Sequence, residues 1–213
     1  MQLLLIRHAQ THSNVSRALD TAHPGADLTE LGERQVSDLA AALAEEHIDR
    51  VFASPRLRTR RTAAGLADPR GIEPTLRDGL VEIGAGDHEM STLPEHAEAY
   101  VETALSWVRG DLGSRLPGAE SGFEALARFD RVISEVLATG AESVAVISHG
   151  AMLRTWCGAR VRNVSLDHVR QHPLRNTGLI RLDGGPEGWI VTDWDEHVVA
   201  EAGQSGPAAD PLR

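Results

Sequence analysis

Two histidines occupy matching places in this sequence. His8 follows Leu3-Leu4-Leu5-Ile6-Arg7, and His149 follows Val144-Ala145-Val146-Ile147-Ser148, so each closes a short apolar run. Runs of that kind, ended by polar groups, read as strands buried on both faces. In an open α/β sheet, ligands bind outside the carboxyl ends of such strands. One histidine after a strand is commonly structural, whereas two in the same context point to shared chemistry. An imidazole placed there can serve as a nucleophile, as an acid or base, or as a donor to an anion.

The arginines add a charge argument. In Ser54-Pro55-Arg56-Leu57-Arg58-Thr59-Arg60-Arg61-Thr62, Ser54 can cap a helix and Pro55 fits its first position. The first two turns then hold four arginines and no acid, although the positive end of a helix favours acids by about 0.3–1 kcal/mol per group. Charge set against that preference suggests a bound anion. The chain as a whole carries a net charge of -10, which opposes loose binding to nucleic acid or anionic membranes. A small anion must therefore be gripped by a local cluster. Arg58, beside the inward-leaning Leu57, is the candidate for that cluster, and Arg56, Arg60 and Arg61 read as an exposed basic face.

The elements that must position these groups are legible as patterns. Besides the two apolar runs, Arg50 to Ala53, Gly178 to Leu182 and Trp189 to Trp194 are weaker strand candidates. Val36, Leu39, Ala40 and Leu43 recur at helical spacing after a possible cap at Thr29, as do Leu126, Phe129, Ile133 and Val136. Strands alternating with helices imply an α/β layered fold with a mostly parallel sheet. Residues 84–122 read as an insertion covering one end of the sheet, with a helix near Pro94 to Val108. Residues 1–201 are expected to form a single domain, and residues 202–213, small and polar, a disordered tail.

Composition limits the rest. At 213 residues and 41% hydrophobic content, the chain can bury one core. The opening apolar run is too short for a secretory segment and nothing spans a bilayer. Cys157 is the single cysteine, which suits a reducing cytoplasm. The oligomeric state stays open, a homodimer included.

The motifs, in order, resemble those of the histidine phosphatase (phosphoglycerate mutase-like) superfamily. Arg7-His8-Ala9 with Thr11 and Asn14 is similar to its opening signature, and Leu28-Thr29 with Gly32 and Gln35 to the next block. Ser54-Pro55 with Arg58 and Thr62-Ala63, then Leu80-Val81-Glu82-Ile83, Gly118-Ala119-Glu120-Ser121 and Ser148-His149-Gly150, complete the series. The resemblance implies a three-layer αβα sandwich and a phosphomonoesterase needing neither metal nor cofactor. It implies His8 as the nucleophile that becomes a phosphohistidine and Glu82 as general acid and base. Arg7, Arg58 and His149 would surround the phosphoryl oxygens, with Asn14 and Gln10 as neutral donors. The substrate partner would be a small phosphomonoester.

Two departures bear on substrate. Ala9 replaces the commoner Gly, which should leave the backbone amides available. Gly86-Asp87-His88-Glu89-Met90 replaces the Gly-x-Trp-Glu-Gly often seen in the phosphatases. The basic, aromatic-rich substrate segments expected of a phosphoglycerate mutase are not found, so phosphatase activity is favoured over mutase activity, and both over a noncatalytic phosphate-binding module. His8 and His12 have a spacing that could bind metal, but Arg7 would repel a cation. His23, His88 and His96 could line the entrance or be solvated loop residues. Ser121 and Glu124 fit a capping box, while Glu120 reads equally as an inner supporting acid or an exposed one. Gly84-Ala85-Gly86 is too short for a nucleotide-binding fingerprint.

Overall fold

A computed structural model describes residues 1–195. The strands are β1 (Gln2–Arg7), β2 (Arg50–Ala53), β3 (Thr75–Leu76), β4 (Ser143–Ser148), β5 (Leu179–Gly185) and β6 (Gly188–Asp195), in one sheet ordered β3-β2-β4-β1-β5-β6. The pairings from β3 through β2 and β4 to β1 are parallel, while β5 and β6 join antiparallel. The sheet is thus mixed, with its parallel part at the centre. β1 and β4 are neighbours in register, Arg7 opposite Ser148. His8 and His149 therefore leave the sheet side by side, at the carboxyl ends that the sequence pattern indicates.

The helices are α1 (His12–Ser16), α2 (Glu30–Ala42), α3 (Leu57–Ala67), α4 (Pro94–Val108), α5 (Gly122–Ala138), α6 (Gly150–Arg160) and α7 (Leu166–Gln171). Successive residues of a strand face opposite sides, and each side has its own core. Leu3, Leu5, Val144 and Val146 pack with Tyr100 and Trp107 of α4, Phe129 of α5 and Trp156 of α6. Leu4, Ile6, Ala145 and Ile147 pack with Leu39 of α2 and with Ala63 and Leu66 of α3. This is a three-layer αβα sandwich. An aspartate at Leu5, which is 0% exposed, would leave an unpaired charge inside it.

Local chemistry explains most helix bounds. Thr29 Oγ1 accepts from the Gly32 amide at 3.0 Å and starts α2. Ser121 and Glu124 form the expected reciprocal cap of α5. α4 has the expected bounds, and its Tyr100 and Trp107 belong to the main core. α3 departs from expectation: Arg56 is the residue that precedes it, and Pro55 lies outside the helix. The Ser54 hydroxyl is drawn toward His149 and meets the Arg56 amide only at 3.4 Å. β3 has two residues, too few for a pattern. Residues 202–213, expected to be a tail, lie outside the described residues. No helix among the described residues is long and apolar enough to cross a membrane.

Candidate active site

His8 Nδ1 lies 2.7 Å from the Ala9 carbonyl. Nδ1–H is thus the donor, and the lone pair remains on Nε2. Arg58 Nε donates to that atom at 3.1 Å and shares the same hydrogen with His149 Nδ1 at 3.3 Å. His149 Nε2 then donates to Ser54 Oγ at 2.9 Å. The two rings stand edge to face, 5.2 Å apart. Burial, reinforced by the Arg58 charge, holds both imidazoles well below the ordinary histidine value. Arg7 adds to the effect on His8. Each ring is therefore neutral near pH 7.

Arg58 reaches this position from α3. Its Nη2 donates to the Asp20 carbonyl at 2.9 Å, and Nη1 stands 3.6 Å from the Asp20 carboxylate. Asp20 is fixed in turn by Ser13 Oγ and the Ala26 amide, each at 2.7 Å. Gly25 crosses Arg58 so closely that a Cβ there would lie 2.2 Å from Nη1, and its φ of 77° also favours glycine. Arg7, fully buried at the end of β1, donates from Nη1 to the Leu174 carbonyl at 2.8 Å.

Glu82 is buried on the irregular chain after the short turn Asp78–Leu80. Its Oε1 accepts from the amides of Ile83 at 2.9 Å and Met152 at 2.8 Å, and Oε2 from Ala151 at 3.2 Å. Ala151 and Met152 belong to the first turn of α6, whose positive end attracts a carboxylate. Burial nevertheless dominates and raises the Glu82 pKa, opposed by these amides and by Arg58. Oε2, with one hydrogen bond, is the oxygen best able to carry a proton.

The remaining candidates are spread more widely. Asn14 Oδ1 accepts from Thr11 and from Asn176 Nδ2, the latter at 3.1 Å. Gln10 turns its carbonyl oxygen to Thr29 Oγ1 at 2.9 Å, which ties it to the start of α2. The Ala9 amide was expected to be available, yet it donates to Thr62 Oγ1 at 3.0 Å, because α3 packs against this loop. Arg56 also departs from the expected exposed face. It is half-buried, and its Nε donates to the Thr21 carbonyl at 3.3 Å. Arg60 and Arg61 are exposed, Arg61 pairing with Asp27 and Glu33. His12 and His23 are exposed, and among the described residues no cluster of three or more ligating side chains could hold a metal.

From residue 3 to residue 197 the sequence matches the family described as histidine phosphatase superfamily (branch 1). The chain belongs to this superfamily. It is 31% identical to phosphoserine phosphatase 1 of Hydrogenobacter thermophilus, over 72% of this chain and 73% of that one. It is 29% identical to a protein named probable phosphoglycerate mutase GpmB of Erwinia tasmaniensis, over 95% and 93%. PE-PGRS family protein PE_PGRS11 of Mycobacterium tuberculosis is 30% identical over 97% of this chain, which spans only 37% of that protein's length. In fold, the chain superimposes on a mycobacterial glucosyl-3-phosphoglycerate phosphatase complexed with VO3, with a TM-score of 0.75 and 23% identity, covering 91% of this chain and 98% of that one.

As a member of the histidine phosphatase superfamily, the chain shows how its unusual Gly86–Met90 segment is accommodated. Glu89 accepts from the amides of Thr21 and Ala22 and from Thr21 Oγ1, pinning the loop that carries Asp20. Met90, in place of glycine, adopts a φ of 60°, which costs an L-residue about 1–2 kcal/mol. His88, in place of tryptophan, stacks on His96 with ring centroids 3.9 Å apart.

Several supporting residues are tied to the site only by the fold. Asn176 Nδ2 donates to the His8 carbonyl at 3.0 Å. The next residue, Thr177, holds φ at 60°, an outlier for a β-branched residue and a sign of backbone strain beside the site. The dipeptide Asn-Thr before Gly178 is a turn signal, but nothing local ties it to His8. Asp20 had no signal at all. Glu120, whose sequence fits an inner supporting acid and an exposed one equally, is half-buried and pairs with Arg128 at 2.7 Å.

Proposed function

We propose that this protein is a phosphatase that hydrolyses a small-molecule phosphomonoester without a metal, by way of a phosphohistidine on His8. One observation carries the reading: the unprotonated Nε2 of His8 is aimed at Arg58, with His149 on the other side of the same guanidinium. A phosphoryl group entering between them takes over the Arg58 donor, and that frees the His8 lone pair. Nε2 then attacks phosphorus as the bond to the ester oxygen breaks, which splits one displacement into two. Arg7 and Arg58 donate to the phosphoryl oxygens, His149 joins them when its proton sits on Nδ1 and the Ser54 hydroxyl donates to Nε2, and the Asn14 amide assists them. Positioning and charge of this kind supply most of the catalysis in phosphoryl transfer.

The departing oxygen needs a proton, and Glu82, whose pKa burial raises, supplies it from its carboxyl. In the second step Glu82 removes a proton from water, the water oxygen attacks phosphorus, and His8 is released with inorganic phosphate. Relatives named as phosphoserine and glucosyl-3-phosphoglycerate phosphatases support hydrolysis over isomerisation. The GpmB relative favours a second reading, phosphoglycerate mutase, which assay of phosphoglycerate interconversion with a bisphosphate primer separates from hydrolysis. The buried free thiol of Cys157 supports residence in a reducing cytoplasm. Purified protein is expected to turn over p-nitrophenyl phosphate in the presence of a chelator. Full turnover by His8→Ala would overturn the nucleophile assignment.

A further inference from the structure

The chain that bears Glu82 cannot hold its own shape. Beyond the turn Asp78–Leu80 it has no regular structure as far as Ala85. Yet every carbonyl from Gly79 to Ile83 accepts a hydrogen bond from a distant side chain. Ser148 Oγ donates to Leu80 and Tyr100 OH to Ile83, each at 2.8 Å. Arg128 of α5 takes the other three. Its Nη1 donates to Gly79 at 2.8 Å and Val81 at 2.7 Å, and its Nη2 to Glu82 at 3.0 Å.

Arg128 is itself held. Glu120 accepts from its Nε at 2.9 Å and its Nη2 at 2.7 Å, a two-point pairing, and also from the Gly84 amide at 3.3 Å. A guanidinium has five N–H bonds. Three go to the acid-bearing chain and two to Glu120. The side chain is only 12% exposed, so water replaces few of these bonds. Gly79 lies so close to α5 that a Cβ would meet the Arg128 carbonyl at 2.4 Å. The acid is thus fixed at both ends, its carboxylate on the amides of α6 and its backbone chiefly on Arg128 of α5.

We propose that Arg128, braced by Glu120, is a positioning residue that sets the Glu82 carboxyl at the distance needed to protonate the leaving oxygen. The proposal rests on the reading of Glu82 as the general acid. Its physical basis is that proton transfer depends steeply on geometry, and a displacement of about 1 Å can cost about 100-fold in rate. An irregular chain released from three carbonyl anchors can move by that amount while the histidines, mounted on β1 and β4, stay in place. Lysine cannot replace the fork, because its single ammonium cannot span three carbonyls and a carboxylate.

The test compares kcat/KM for p-nitrophenyl phosphate, whose leaving group needs no acid, with that for glycerol 2-phosphate, whose alkoxide does. Glu82→Gln is the reference, and Arg128→Met and Arg128→Lys are the test variants. Arg128→Met is expected to lower the alkyl to aryl ratio by about 100-fold, as Glu82→Gln does, and Arg128→Lys to recover only part of it. The alkaline limb of the alkyl profile should also move to lower pH, because water reaching Glu82 removes the burial that raises its pKa. Should Arg128→Met fail to fold, Glu120→Gln keeps the shape of the brace and should shift the ratio the same way by a smaller factor. Loss of both substrates in equal measure, or an unchanged ratio, overturns the proposal. If Glu82→Gln itself slows both substrates equally, the acid assignment falls and the proposal with it. A ratio shifted in Glu82→Gln but not in Arg128→Met removes the proposal alone.

Discussion

Acidification from pH 7 to pH 5 should destabilise the fold through His8 and His149. Both are neutral in the folded protein because burial, and then Arg58, disfavours their charged forms. In the unfolded chain each takes up a proton near its ordinary value of 6.5. Below that pH the unfolded state binds more protons than the folded one, so stability is complete above 6.5 and falls as the pH drops. One proton is worth about 1.4 kcal/mol per pH unit, and the pair therefore about 2.7 kcal/mol per unit well under 6.5. Glu82 has the opposite sign. Its raised pKa keeps a proton that the unfolded chain loses above about 4.5, which offsets at most about 1.4 kcal/mol per unit. A net slope of about 1.4–2.7 kcal/mol per unit remains, against a typical domain stability of about 5–15 kcal/mol. Asp27 and Glu135, whose pKa values are lowered by Arg61 and Arg77, lose their contributions only below this window. Urea midpoints followed by the emission of buried Trp107 and Trp156 at several pH values measure the slope, in buffers free of phosphate, which would bind and stabilise. The double variant His8→Gln, His149→Gln keeps neutral partners for Arg58 and should flatten the curve. A flat curve in the unaltered protein, or an equally steep one in the variant, would refute the reasoning.

Two further outcomes are expected. Met90→Gly should stabilise the protein by about 0.5–1 kcal/mol, since relief of the left-handed backbone exceeds the entropy that glycine adds to the unfolded chain. The side chain is 57% exposed and loses little packing, so a lower urea midpoint would contradict this account. Cys157 is 0% exposed, and burial raises its pKa, which starves it of the reactive thiolate. A thiol reagent should therefore label it rapidly only in denaturant, and fast labelling of the folded protein would show that the thiol is accessible.

Local features were legible because their physics is local. The apolar runs of β1 and β4 end in the histidines that they position, Thr29 and Ser121 cap the helices they precede, and α4 keeps its expected bounds. The order of the motifs marked His8, Arg58, Glu82 and His149, and the fold brings Arg58 into contact with both histidines. Ser54 shows where such reading stops. From its neighbours it is a helix cap, but its hydroxyl answers to His149, 95 residues away. Asn176 reaches His8 across 168 residues, and Arg128 reaches Gly79 across 49. Sequence by itself determined the alternation of strands and helices, the capped helix starts and the types of residue available for chemistry, since periodicity and capping involve residues within a few positions of one another. Only the tertiary structure decided which donor meets which acceptor, because that depends on which strands become neighbours and which loops then share a buried space.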